Sequence, residues 1–122
     1  MLAHNPIIAF IPTKDAVRAR KFYETLGLRL VSDDDFAIVM DANGIMVRVV
    51  RIDDFTPLPF TILGWQVTDI HTTVAEMTAN GVKFARYSFL QQGADGVWNA
   101  PGGAKVAWFT DPDGNTLSVS QH

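Results

Sequence analysis

The stretches DAVRARKFYETLG, residues 15–27, and DIHTTVAEMTANG, residues 69–81, carry the pattern that decides the fold. Each begins with an aspartate, a preferred residue at the N-terminal cap of a helix. Each ends twelve residues later with a glycine, which readily adopts the left-handed conformation that terminates helices. An apolar run precedes each aspartate, and the two copies lie 54 residues apart. A repeat of this length predicts two copies of one supersecondary unit.

The first copy is predicted to be a βαβββ unit over residues 6–52. A short apolar run at residues 7–11 predicts a strand, and Thr13 or Asp15 is expected to cap the helix that follows. Three further strands are predicted at residues 28–32, 36–41 and 45–52. Asn43-Gly44 joins the last two, and this pair is typical of a tight hairpin because both residues tolerate positive φ.

The second copy is predicted over residues 60–121, after a connector at residues 53–59 in which Pro57 and Pro59 disfavour a strand. Its opening strand is expected at residues 60–67, and Asp69 is expected to cap its helix. Further strands are predicted at residues 82–89, 97–100, 104–110 and 116–120. Asp111-Pro112-Asp113-Gly114 has the composition of a tight turn. We expect residues 1–122 to form a single domain.

Composition restricts the possible functions. The chain has 122 residues, of which 48% are hydrophobic and 19% charged, so it has enough apolar side chains for a real core. A net charge of -3 without a basic stripe argues against nucleic acid as a partner. The absence of cysteine excludes disulfides, thiolate metal sites and a cysteine nucleophile. No signal peptide or membrane-spanning run is visible, so we expect a cytoplasmic protein that does not contact membranes.

Several motifs together resemble the vicinal oxygen chelate superfamily, which includes glyoxalase I, extradiol dioxygenases, fosfomycin-resistance enzymes and bleomycin-resistance proteins. They are the two aspartate-to-glycine helices, Phe22-Tyr23 before Leu26-Gly27, the helix exit at residues 79–82 and the terminal turn at residues 111–115. The resemblance implies an α+β fold. In that fold two βαβββ units form a curved, mostly antiparallel sheet around a cavity, with the helices on the outer face. It also implies a homodimer, and the connector is compatible with units that pair within one chain or across the dimer.

The resemblance also implies where a metal ion would bind in the catalytic branches of the superfamily. The corresponding positions in this chain are Ile8, Arg48, Ile62 and Ser118. Zinc, iron and manganese need imidazole, carboxylate or thiolate ligands, whereas isoleucine offers no donor and a guanidinium repels a cation. We therefore expect no metal ion and no cofactor. The three histidines, His4, His71 and His122, do not occupy any of these positions.

Other side chains are candidates for ligand contacts. An arginine within an apolar cavity would mark a site for an anionic ligand, and Arg48 is that candidate unless its strand turns it outward. Arg51 has the opposite parity, so one of the two is expected on each side of the sheet. Gln66 shares its parity with Ile62 and is a candidate polar contact. Trp98 and Trp108 are candidate stacking surfaces, although either could instead pack in the core or at a dimer contact.

The sequence thus predicts a metal-free protein that sequesters an apolar or aromatic small molecule through Ile8, Arg48, Ile62, Gln66, Trp98, Trp108 and Ser118, with no catalytic residues. The alternative is a lyase, isomerase or dioxygenase of the same superfamily with displaced metal ligands, or one working without metal through His4 or Glu24. A third interpretation is an interaction domain whose sheet serves only as a dimer scaffold.

Overall fold

The computed structural model describes every residue from Met1 to His122. The chain divides into two compact units, Met1–Thr56 and Pro57–His122, named here the first unit and the second unit. A short 3-10 turn, Leu2–His4, precedes them. The helices and strands are β1 (Ile8–Thr13), α1 (Ala16–Thr25), β2 (Arg29–Asp33), β3 (Ala37–Ala42), β4 (Ile45–Arg51), β5 (Thr61–Gln66), α2 (Ile70–Ala79), β6 (Trp98–Asn99), β7 (Lys105–Thr110) and β8 (Thr116–Gln121).

The first unit is a four-stranded sheet in the order β1-β4-β3-β2, with α1 packed on it. β1 runs parallel to β4, and the remaining pairs are antiparallel. The helix begins after Asp15, whose carboxylate accepts a hydrogen bond from the backbone N–H of Arg18 at 3.1 Å. Asn43 and Gly44 adopt φ values of 51° and 84°, which confirms the predicted hairpin turn.

The second unit repeats this arrangement. Its sheet has the order β5-β8-β7-β6, with β5 parallel to β8 and the other pairs antiparallel. Asp69 caps α2 by accepting a hydrogen bond from the backbone N–H of Thr72 at 3.2 Å. The predicted terminal turn is confirmed, because the N–H of Gly114 donates to the carbonyl oxygen of Asp111 at 3.0 Å.

The α+β class and the two βαβββ units are therefore confirmed, and each sheet has more antiparallel than parallel pairs. Neither helix combines the length and apolar character that a membrane-crossing helix requires. The enclosed cavity and the union of both units in a single domain stay predictions.

One predicted strand, residues 82–89, is wrong. The structure has only an isolated bridge between Phe84 and Phe109 in this segment. The reason is that the side chain of Gln92 takes two of the backbone groups there: its amide accepts from the N–H of Tyr87 at 2.7 Å and donates to the carbonyl of Ala85 at 2.9 Å. These bonds replace a strand ladder and hold the segment as an ordered loop.

Candidate functional site

The sheet of the first unit has one face covered by α1 and one face without a helix. The strand residues buried on the helix side are Ile11, Ile38, Met40, Val47 and Val49. The alternate residues form the other side, named here the first open face, which includes Ile8, Phe10, Val39, Met46 and Arg48. Strand pairing places Ile8 beside Met46 and Phe10 beside Arg48 on this face. Ile8, Phe10 and Met46 are 45%, 62% and 41% exposed, so the face presents apolar side chains.

Arg48 lies in the middle of the first open face. Its neighbours in the sheet are Phe10 on β1 and Val39 on β3, both apolar. The side chain is half-buried and has neither an ion-pair partner nor a hydrogen-bond partner within the protein. A guanidinium in such surroundings is a ready partner for an external acceptor.

The carboxylate of Asp34 interacts electrostatically with the charge of Arg48. Backbone N–H groups of Ala37 and Phe36 donate to its Oδ1 at 2.9 and 2.8 Å and lower its pKa, and the charges of Arg48 and Arg51 lower it further. Asp34 is thus ionised at neutral pH and already hydrogen-bonded to the backbone.

Arg51 lies on the opposite side of the same sheet. Its Nη2 pairs with Oδ1 of Asp33 at 3.0 Å, and its Nη1 donates to the carbonyl of Asp34. Arg51 also lines a groove of about 310 Å³ beside α1, together with Arg20 and Glu24. The two arginines therefore face opposite sides, as their alternate parity predicts, and only Arg48 is without a partner.

The second unit also has a helix side and an open side. On the helix side, Oε1 of Gln121 accepts a hydrogen bond from the N–H of Ile70, the first residue of α2, at 2.9 Å. Residues of the opposite parity in β8 form the second open face. Strand pairing places Gly64 and Trp108 on either side of Ser118 there, and Gln66 one step further along β5.

Four aromatic side chains form a continuous run at the second open face, named here the aromatic run. The ring centroids of Trp98 and Trp108 are 5.9 Å apart with a tilt of 35°. Tyr87 meets Trp108 edge-to-face at 5.6 Å and Phe89 at 5.5 Å. Phe89 is 79% exposed, so the run leads from the sheet to solvent. Such a surface suits a planar apolar ligand.

The loop that carries Tyr87 and Phe89 is held by hydrogen bonds within the loop and by a contact with α2. Nη1 and Nη2 of Arg86 donate to the carbonyls of Gly93 and Gln92 at 2.9 and 3.2 Å. Nδ1 of His71, in the first turn of α2, lies 2.6 Å from Oδ2 of Asp95. Burial would raise the pKa of the Asp95 carboxyl, but hydrogen bonds from His71 and from the N–H of Val97 outweigh it and lower the pKa. These contacts close the loop on itself and connect it to α2.

Ser118 and Gly64 are in unusually close contact. A Cβ added to Gly64 would lie only 2.8 Å from Oγ of Ser118, so the serine side chain occupies the space above the glycine. Ile62 lies where the pairing of β5 with β8 shifts register between Thr61 and Leu63.

The four positions that the sequence resemblance predicts for metal ligands, Ile8, Arg48, Ile62 and Ser118, offer two alkyl groups, a guanidinium and a single hydroxyl. This donor set does not fit a divalent metal ion. No group of three or more histidine, aspartate or glutamate side chains is arranged to hold one elsewhere in the chain.

The structure shows contacts that sequence reasoning missed. Tyr87 and Phe89 join the two predicted tryptophans, although the sequence placed them in a strand. The Gly64–Ser118 contact was also missed, and a glycine within a strand was its only signal. Oγ of Ser120 lies 3.1 Å from Nε2 of His122, the residue directly after β8. His4 is exposed, and Glu24 pairs with Arg20 at 3.2 Å.

Solved structures share this fold. A bleomycin-binding protein complexed with bleomycin matches with a TM-score of 0.75 at 19% identity, covering 97% of this chain and 98% of that chain. A glyoxalase family protein from Enterococcus faecalis matches with a TM-score of 0.75 at 18% identity, covering 98% and 99%. A lactoylglutathione lyase from Agrobacterium tumefaciens matches with a TM-score of 0.72 at 16% identity, covering 97% and 93%.

At these identities the structural likeness establishes the fold alone. A sequence comparison with curated proteins finds no match. The family model described as Glyoxalase/Bleomycin resistance protein/Dioxygenase superfamily matches residues 5–119, which is nearly the whole chain. The chain therefore belongs to the glyoxalase/bleomycin resistance protein/dioxygenase superfamily.

Proposed function

We propose that this protein binds and sequesters a small molecule with an apolar or aromatic body, without a metal ion. The observation that carries the proposal is the aromatic run, Trp98–Trp108–Tyr87–Phe89, at the second open face. A soluble chain seldom leaves a connected set of large aromatic rings beside solvent unless they serve an interaction. The fold is shared with a protein solved in complex with bleomycin, and antibiotic sequestration, hence resistance, is the corresponding proposal here.

Affinity is expected to come from removing apolar surface from water and from ring stacking. A polar side chain on the same face then fixes the orientation of the ligand. Gln66 supplies an exposed amide on the second open face, and Arg48 is a separate candidate contact on the first open face. Sequestration needs only a binding equilibrium. It is therefore compatible with Ile8, Ile62 and Ser118, which together do not form a set of metal ligands.

Ligand binding can be tested by isothermal titration calorimetry with bleomycin, other aromatic antibiotics and aromatic metabolites. We expect at least one compound to bind at about one molecule per chain. Trp98→Ala and Trp108→Ala should weaken its binding about tenfold or more, equivalent to about 1.4 kcal/mol, because each removes a stacking surface.

The matched control is Trp65→Phe. Trp65 stacks on Phe109 at a centroid distance of 6.4 Å, on the helix side of the same sheet. This variant should retain the wild-type affinity. A panel in which nothing binds, or in which the Trp65 variant loses as much affinity as the Trp98 variant, would contradict the proposed site.

The second candidate is the metal-dependent lyase, isomerase or dioxygenase of the same superfamily. Stoichiometric divalent metal after purification would favour it.

We also propose that two copies form a homodimer, because exposed apolar side chains such as Ile7 and Phe36 remain at the surface of the first unit. Sedimentation velocity showing only monomer would contradict the dimer. The lack of cysteine is in keeping with the cytoplasmic location that the sequence predicts.

A further inference from the structure

Arg48 is an unpaired cation on an apolar surface. Phe10 and Val39 flank it across the sheet, and Met46 and Val50 lie two residues away on β4 with the same parity. Half-burial among such groups removes part of the hydration of the guanidinium, and no hydrogen bond or ion pair within the protein replaces it. The N–H groups of its guanidinium are therefore available to donate hydrogen bonds to a ligand.

The nearby carboxylates are engaged elsewhere. Asp34 accepts hydrogen bonds from the N–H groups of Phe36 and Ala37. Asp41 is the acidic residue diagonal to Arg48 on the open face, where it is the strand partner of Met46. Its Oδ2 accepts from the N–H of Gly44 at 3.4 Å, which directs it to the hairpin turn. Neither carboxylate forms an ion pair with Arg48.

We propose that the first open face binds an aryl carboxylic acid, with its carboxylate on the guanidinium of Arg48 and its ring against Phe10 and Met46. This proposal rests on the proposed function, that the protein binds small molecules, and assigns a class of ligand to the first open face. A carboxylate presents two oxygens that match the parallel N–H donors of arginine, which gives both strength and direction. Phe10 is 62% exposed and Met46 is 41% exposed, so both offer surface for a ring to cover.

The test compares three ligands of nearly equal shape: 2-naphthoate, its neutral amide, and the cationic naphthylmethylamine. Affinities are measured by calorimetry for the wild type, Arg48→Gln and Arg48→Lys. The wild type should bind the carboxylate at least tenfold more tightly than the amide and bind the cation most weakly. Arg48→Gln should abolish the preference for the carboxylate, while Arg48→Lys should retain part of it because a point charge lacks the bidentate geometry.

Arg51→Gln is the matched control. It removes the same charge from the same strand, but on the helix side, where Arg51 already pairs with Asp33. The preference for the carboxylate should survive this change. Raising the salt concentration should weaken carboxylate binding to the wild type and leave amide binding nearly unchanged. Thermal melting of each variant, recorded in parallel, establishes that it is folded.

The outcomes separate the two proposals. If the amide binds the wild type as tightly as the carboxylate, the assignment of an acid is wrong while small-molecule binding stands. If Arg48→Gln keeps the preference, or Arg51→Gln loses it equally, Arg48 does not hold the carboxylate. If neither naphthoate nor its amide binds, the aryl acid proposal fails, and the broader panel of antibiotics and metabolites then decides the proposed function independently.

Discussion

Gly64 lies where an added side chain would meet the hydroxyl of Ser118. Its added Cβ would lie 2.8 Å from Oγ of Ser118 and 3.5 Å from the Ser118 carbonyl oxygen. We therefore expect Gly64→Ala to lower the free energy of unfolding by about 1 kcal/mol, the lower range for overpacking. Combining it with Ser118→Ala removes the obstructing hydroxyl and should recover the loss, because alanine is intrinsically better than glycine within a strand.

Urea denaturation of the single and double variants measures this coupling. Gly102→Ala is the control, since nothing lies within 4 Å of its added Cβ. A Gly64 variant as stable as the wild type would show that Ser118 rotates away without cost.

Successive side chains of a strand point to opposite faces of the sheet, and this rule predicted the side for some site residues but not for others. Parity alone predicts that Arg48 and Arg51 face opposite sides of the sheet, and the structure agrees. Parity does not say which side carries the helix, so the position of Trp108 could not be predicted. Its face became evident only from strand pairing and from its contact with Tyr87.

The helices were the most predictable elements, and the loop before β6 was the least. Both aspartate caps and both glycine ends are local signals, and both are present as predicted. The segment at residues 82–89 is rich in strand-forming residues, which is why a strand was predicted there. Its actual conformation depends on Arg86 and Gln92 bonding to backbone groups across several residues, and no local pattern encodes such contacts.

The contact between His71 and Asp95 fastens this loop to α2, and its contribution should depend on pH. The pKa of Asp95 is lowered in the folded protein, so the carboxylate stabilises the fold above its unfolded pKa, about 3.9. That contribution is lost as the pH falls through the lower folded pKa. Asp95→Asn should therefore reduce stability near pH 6 by about 0.5 kcal/mol, as expected for an exposed pair, and the difference from wild type should shrink below about pH 4.

Thermal melting of both proteins between pH 3 and pH 7 measures this difference. Asp54→Asn, a change of the same charge at an exposed position away from the His71 contact, serves as the comparison for general charge effects. A gap between wild type and Asp95→Asn that stays constant across the range would contradict a role for the Asp95 charge.

The two units of the repeat share their strand order and helix position, but they carry different side chains on their open faces. Each has the same strand order, one parallel pair and one capped helix. Their open faces differ, because the first carries Arg48 among aliphatic side chains and Phe10, whereas the second carries the aromatic run and hydroxyl groups. The spacing of aspartate and glycine could predict the shared architecture, but the contacts that distinguish the faces depend on pairing between distant strands.

The positions predicted for metal ligands in the two halves of the repeat carry no imidazole or carboxylate, so we expect the whole molecule to be indifferent to divalent metal. A ligand present at a hundred times its dissociation constant adds about 2.7 kcal/mol to native stability, which would shift the melting temperature by several degrees. We expect neither EDTA nor added zinc, nickel, manganese or ferrous iron to produce such a shift, and we expect naphthoate binding to be unchanged by EDTA. Differential scanning calorimetry and metal analysis of the purified protein measure both quantities. A melting temperature that falls on chelation and returns with one particular metal would show that donors outside Ile8, Arg48, Ile62 and Ser118 assemble a site, and would favour the enzyme over the binding protein.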